Sequence, residues 1–379
     1  MKVAILTQPL KSNYGGILQA FALQHAINQL GHQAITIDRQ INKKSHFRRF
    51  LSHAKYQALR LTSKPGPIRF NLADQHLIFA NTLDFIAKHI KLSDRIDSDY
   101  GMQKHFEDYT YKAIVVGSDQ TWRPIYSPNI YNFYLDFLKD NTTKRIAYAS
   151  SFGVEDWEYS ESQAIRCRDL AQKFDAISVR ELSGVHLCKE HLEVEATFVL
   201  DPTLLLTANE YINHLEIKTS GSERRTLFTY ILDTNYDKEV SVKNAAHLLD
   251  LSVHTNQPKK SLSKGGNGKV EDYIFPKVED WVKSFHDAEF IITDSFHGCV
   301  FSIIFNKPFL AIGNKDRGLA RFNSLLSLLN LENRLVTSSD QITLEAMRNK
   351  IDWSTVNSIV EKEKEKSLNF IAKHLTPPN

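Results

Sequence analysis

Apolar runs of four to seven residues recur along the chain, each followed by a polar turn and then by a segment with helical spacing. A short apolar run closed by glycine or a charged residue reads as a strand buried on both faces. Alternation of such strands with helices predicts βαβ units and a parallel sheet. The first unit is complete within forty residues: KVAILT at 2–7, a polar glycine-containing loop from Gln8 to Gly16, a helix from Ile17 to Leu30, and AITID at 34–38. Gly31 stands where a helix C-cap glycine belongs. Further strands are expected at 113–117, 145–149, 176–179 and 197–200, with helices over 75–91 and 159–175. A second series starts near 225 with TLFTYIL, a helix over 237–250 and LSVHT. It continues past the hydrophilic loop 260–269 with a helix at 278–287, EFIIT, a helix from about 298, and FLAIG at 309–313. Between the series, 206–222 turns polar. The expectation is α/β: two Rossmann-like domains with mostly parallel sheets, at 1–215 and 216–340, and a charged helical tail at 341–379.

Composition narrows the function classes. A length of 379 residues suits two domains, and 42% hydrophobic content suits sizeable cores. A net charge of +3 gives no reason to expect bulk nucleic-acid binding. The three cysteines, Cys167, Cys188 and Cys299, match no zinc spacing, and their odd number argues against a disulfide framework. No metal site is expected. No run of about eighteen apolar residues and no leader-like segment is visible, so the expectation is a cytoplasmic protein.

In open α/β sheets ligands bind beyond the carboxyl ends of the strands, so the residues just after each strand carry the information. After the first come Asn13, Tyr14, Gly15 and Gly16, where glycines let backbone amides approach a ligand at a helix start; a tight turn is the plain reading. After AIVVG come Ser118, Asp119 and Gln120, with Trp122 close behind; Asp119 could serve as a base or cap a helix. After AISV stand Arg180 and Glu181, by themselves best read as a structural ion pair. After EFIIT come Asp294, Ser295, Phe296 and His297 at a helix start, a good position for acid–base work or anion binding. Cys299 reads as a plain buried cysteine. After FLAIG come Lys315, Asp316, Arg317 and Arg321, a solvated run or a phosphate cradle. Together these ends imply a small anionic substrate.

Several segments resemble the polysaccharide pyruvyl transferase family, in order over about 2–336: SNYGGILQAFALQHAINQLGHQ, VVGSDQTWRP, ISVRELSGV, VLDPTLLL, and ITDSFHGCVFSIIFNKPFLAIG followed by KDRGLARFNSLLSLLNLENRL. The resemblance implies a glycosyltransferase-B-like pair of domains around a cleft, with phosphoenolpyruvate as donor and a sugar of a cell-surface glycan, or its lipid-linked precursor, as acceptor. It implies no cofactor beyond that co-substrate. By position it makes Arg180 donor-binding and His297 the histidine of the second-domain motif. Many members carry Arg-Leu-His there; this chain has Ser295-Phe296-His297, so the arginine's role would pass to Lys315, Arg317 or Arg321. On this reading His297 is the acid and Asp119 the base. Ser295, Lys315, Arg317 and Arg321 join Arg180 on the donor, while Asn13, Tyr14, Gly15, Gly16, Ser118, Gln120 and Trp122 line the acceptor side. A nucleotide-sugar glycosyltransferase of the same architecture and a non-catalytic glycan-binding protein are the rival readings. Residues 39–73 hold nine Lys or Arg, no Asp or Glu, and interleaved aromatics. That composition suits contact with an anionic membrane surface or a solvated basic face equally.

Overall fold

A computed structural model describes residues 1–42, 70–139, 142–219, 225–262, 268–314 and 318–376. The basic stretch expected to touch membrane therefore lies mostly outside the described residues.

Two parallel sheets are present. The first contains β1 Lys2–Leu6, β2 Gln33–Thr36, β3 Ala113–Val116, β4 Lys144–Ser150, β5 Ala176–Val179 and β6 Thr197–Phe198, in the order β2-β1-β3-β4-β5-β6. The second contains β7 Thr226–Tyr230, β8 Ser252–Thr255, β9 Phe290–Thr293, β10 Phe309–Ile312 and β11 Leu335–Val336, in the order β11-β10-β9-β7-β8. Counted from its own first strand, the second sheet has the same 2-1-3-4-5 order as the first. Every pairing is parallel, as in Val3 beside Ala113 and Leu227 beside Phe290. In each sheet the strand order reverses between the first and third strands, at β1/β3 and β7/β9. These are the switch points where open α/β sheets hold ligands.

The central strands are apolar and buried along their length, while β8 lies exposed at an edge. Helix Tyr14–Gln29 buries thirteen of its sixteen residues. A helix apolar on all sides needs cover on all sides, and this one has the first sheet beneath it and the second domain above. Tyr14 stacks on Trp281 at 5.5 Å between centroids, and its hydroxyl donates to the Pro276 carbonyl at 2.8 Å. One apolar core cluster runs from Val3 and Ile17 through Trp281 and Phe301 to Leu375, joining both sheets. Each fully buried Leu, Ile or Phe there contributes ~1.5–3 kcal/mol.

The tail divides. Leu344–Arg348 puts Met347 into the core of the second sheet. The helix Trp353–Leu375 returns to the first sheet, where the Leu200 amide donates to Ser367 Oγ at 3.0 Å and Phe370 lies 6.3 Å from Tyr148. Among the described residues no helix is long and apolar enough to cross a membrane.

Candidate active site

The two switch points face each other across a cleft lined by Asn13, Asp119, Gln120 and Tyr126 from the first domain and by Leu232, Asp294, Ser295, Phe296, His297, Asn314, Arg321 and Phe322 from the second. Each wall is built by local geometry. Beyond β3, Gly117 adopts φ +123°, and a Cβ there would lie 2.1 Å from the Tyr148 carbonyl oxygen, so only glycine fits. Asp119 follows at φ 71°, a left-handed conformation that aspartate tolerates better than most residues. Its Oδ1 accepts from Arg180 Nη2 at 3.0 Å and from the Gln120 amide at 2.8 Å, and its Oδ2 from Asn13 Nδ2 at 3.5 Å. Asn13 is the N-cap of helix Tyr14–Gln29 but makes no side-chain cap bond. An N-cap side chain ordinarily satisfies a helix amide; here it is turned to the cleft instead.

On the second wall Ser295 caps helix Phe296–Ile304, accepting from the Gly298 amide at 3.4 Å. His297 thus sits in the first turn, where helix amides and the macrodipole favour an anion. The imidazole presses on Gly15: a Cβ there would stand 2.1 Å from His297 Nδ1. Its Nε2 lies 3.6 Å from Asp201 Oδ2. Asp294 is fully engaged, accepting from Lys238 Nζ at 2.8 Å and from the amides of Leu232 and Asp233 at 2.6 and 3.1 Å; it fixes the β7 turn.

Arg180 does not line the cleft. Its guanidinium is buried between Asp201, at 2.6 Å, and Asp119, at 3.0 Å. Its Nη1 and Nη2 are each engaged by one of these carboxylates, while its Nε finds no hydrogen-bond partner among the described residues. The ion pair with Glu181 is also not formed: Glu181 turns the other way and accepts from the amides of Phe152 and Gly153 at 2.7 and 3.2 Å. The Phe296 ring stands between two guanidinium groups, 5.1 Å from Arg180 and 5.5 Å from Arg321. Among the described residues, Arg321 is the arginine that reaches the cleft wall. Lys315 and Arg317 lie outside the described residues.

Other expected cleft residues face elsewhere. Trp122 is wholly buried, stacks on Tyr134 at 5.0 Å and donates to the Phe133 carbonyl at 3.0 Å. Tyr14 is spent on the domain interface. Ser118 donates to the Ala149 carbonyl at 2.8 Å. Gly15 and Gly16 serve by being small, Gly15 under His297 and Gly16 beside Asn13 and Asp119. Cys299 is buried, which pushes its thiol far up and leaves no thiolate.

Charge couples these groups. Burial raises the Asp119 pKa, but Arg180, His297 and Arg321 outweigh it and hold the carboxyl below its usual range. Asp201 is held down more strongly: burial raises it, and His297 and Arg180 overcome that. Burial dominates at Glu181 and raises it despite both arginines. Burial and then Arg180 push Arg321 down to about 10, which leaves it cationic at neutral pH. Among the described residues no group of His, Cys, Asp or Glu is arranged to hold a metal ion.

Sequence reasoning passes over Asp201 and Tyr126. Asp201 follows the strand-like TFVL and so obeys the strand-end rule. Tyr126 sits several residues beyond β3, where that rule is silent.

Two Rossmann-like sheets closing on a cleft define a glycosyltransferase-B-like architecture, and solved structures share it. UDP-N-acetylglucosamine 2-epimerase from Neisseria meningitidis bound to UDP-GlcNAc superposes with a TM-score of 0.52 at 11% identity, covering 99% of each chain. UGT89C1 from Arabidopsis thaliana complexed with UDP-L-rhamnose gives 0.53 at 10% identity, covering 98% of each. UDP-N-acetylglucosamine 2-epimerase from Rickettsia bellii gives 0.50 at 11% identity, covering 98% of this chain and 96% of that one. At such identities the likeness is one of fold alone. No curated protein matches the chain in sequence. The family model of polysaccharide pyruvyl transferase matches residues 13–316, and the chain belongs to that transferase family.

Proposed function

We propose that the protein transfers pyruvate from phosphoenolpyruvate to two hydroxyls of a glycan sugar, forming a cyclic ketal and releasing phosphate. The observation that carries this reading is that His297, Arg321 and a helix N-terminus share one wall of a single cleft, opposite Asp119. A dense anion removed from water needs cations and amide donors at once, and that wall supplies both. Arg321 takes the part that an arginine at position 295 would play in the Arg-Leu-His motif.

His297 gives its proton to the methylene carbon, turning it into a methyl group and leaving C2 oxocarbenium-like. Arg321 and the first-turn amides hold carboxylate and phosphate. A sugar hydroxyl attacks C2 while its proton passes to Asp119. The bond from C2 to the phosphate oxygen breaks and the second hydroxyl closes the ring, its proton returning to His297 while the proton held by Asp119 leaves with the phosphate. Asp119 is a weak base in the empty site, since Arg180 stabilises its charged form; it takes a proton only as the attacking hydroxyl becomes acidic. Asp201 keeps the imidazole oriented.

The test is phosphate release from phosphoenolpyruvate with galactose-, glucose- and N-acetylmannosamine-containing glycosides. Release should require an acceptor, and His297→Ala should lower it about 10²–10⁴-fold in a folded protein. Near-normal turnover in that variant removes His297 from the chemistry. No release, together with thermal stabilisation by UDP- or GDP-sugars and none by phosphoenolpyruvate, replaces this reading with a nucleotide-sugar glycosyltransferase. Glycan binding without any release replaces it with a non-catalytic member.

A further inference from the structure

The cleft is chemically divided, and its first-domain wall carries an aromatic group that the mechanism does not use. Tyr126 lines the cleft and is 46% exposed, whereas Trp122, Tyr134 and Tyr148 of the same domain are fully buried. Its turn is fixed: the Tyr126 amide donates to the Arg123 carbonyl at 3.1 Å, and Ser127 Oγ donates to the Thr121 carbonyl at 2.9 Å. Gln8 reaches across from the β1 loop, donating to the Gln120 carbonyl at 2.8 Å and to Ser127 Oγ at 3.3 Å. Beneath the ring, the Arg123 guanidinium carbon lies 5.0 Å from the centroid. Arg123 is itself locked by a bidentate pair with Glu158, 2.8 Å at each oxygen. A tyrosine so braced presents ring surface to the cleft at little further entropy cost.

We infer that Tyr126 is the stacking platform of a subsite for an uncharged pyranose ring, the acceptor of the reaction proposed above. A pyranose has an apolar C–H face that packs on an aromatic ring and a rim of hydroxyls that need donors and acceptors. Gln120, Asn13 and Asp119 line the same wall and provide an amide, an amide and a carboxylate. The opposite wall holds Arg321, His297 and the helix N-terminus, which suit the anion. The division sets the direction of transfer: anion on the second domain, neutral sugar on the first. The subsite rests on the proposed reaction for its role as acceptor site, but sugar binding can be read without turnover.

The experiment uses the full chain and its Tyr126→Ala and Tyr126→Phe variants, with two readouts. The first is saturation-transfer NMR to the methyl glycosides of galactose, glucose and N-acetylmannosamine, without phosphoenolpyruvate. The second is phosphate release, giving separate KM values for glycoside and phosphoenolpyruvate. Transfer to at least one glycoside is expected from the wild type and from Tyr126→Phe, and is lost in Tyr126→Ala with its melting temperature unchanged. In turnover, Tyr126→Ala raises the glycoside KM about tenfold or more and leaves the phosphoenolpyruvate KM alone. A glycoside KM within twofold of wild type overturns the inference. So does transfer to none of the three glycosides, or transfer to the uracil protons of UMP in their place. If the wild type releases no phosphate but the NMR signal depends on Tyr126, the reaction fails and the sugar subsite stands.

Discussion

His297 Nε2 of the second domain stands 3.6 Å from Asp201 Oδ2 of the first, and the same oxygen accepts from Arg180 Nη1 at 2.6 Å. One carboxylate thus joins the cleft imidazole to a buried guanidinium across the domain boundary. The other oxygen, Oδ1, is occupied by the Thr203 amide at 3.0 Å and its hydroxyl at 2.7 Å, so the side chain cannot turn away. The arrangement places a fixed carboxylate of the first domain beside the histidine ring of the second, 3.6 Å from Nε2.

Asp201→Asn keeps the shape and removes the charge. Breaking a buried ion pair from one side costs about 3–5 kcal/mol, and a loss of that size is expected in urea denaturation at pH 7. The pH dependence follows from sign. Asp119 and Asp201 are both depressed in the folded protein, so their contribution is present above the unfolded value near ~3.9 and is lost as pH falls through the lower folded values. The wild type should lose stability steeply in acid below about pH 4, and the Asn variant should show a shallower slope there.

Glu181 behaves in the opposite sense. Its folded pKa is raised by burial, so its contribution is largest while it is protonated and declines as pH rises through the folded value. A glutamine at 181 can still accept from the amides of Phe152 and Gly153 through its carbonyl oxygen. Glu181→Gln is therefore expected to gain melting temperature relative to wild type between pH 4 and pH 8. A constant difference across that range would show that the burial cost is not expressed.

Gly15→Ala tests the contact under His297. The new methyl would overlap Nδ1, so the ring or the helix start must move. A misplacement of about 1 Å at a reacting group can cost on the order of 10²-fold in rate. Activity should fall by about that factor, while urea unfolding keeps a single cooperative transition.

The two arginines on either side of Phe296 should separate by phenotype. Arg321→Ala is expected to raise the KM for phosphoenolpyruvate with modest loss of stability. Arg180→Ala strands Asp119 and Asp201 in the interior and should destabilise by about 3–5 kcal/mol. Steady-state kinetics beside thermal melts decides it: a KM effect confined to Arg180→Ala would reverse the assignment.

Local pattern carried much of this protein. Strand-length apolar runs, their polar ends and Gly31 were enough to expect two α/β sheets, because each signal depends on neighbours within one turn or one strand. The same reasoning brought Asn13, Asp119, Ser295, His297 and Arg321 forward, and all five line one cleft. What a strand-end residue faces is another matter. Trp122 and Ser118 turn into the interior because Ser118 bonds to the Ala149 carbonyl of β4 and Trp122 stacks on Tyr134, and Tyr14 is taken by Trp281 of the other domain. Arg180 is drawn inward by two carboxylates distant in sequence, and Asp201 becomes central only because the second domain brings His297 to it. Side-chain direction and charge pairing are set by contacts between separate segments, 21 residues apart for Arg180 and Asp201, 61 for Arg180 and Asp119 and 262 for Tyr14 and Pro276, and those that join the two domains exist only once both sheets have closed on each other.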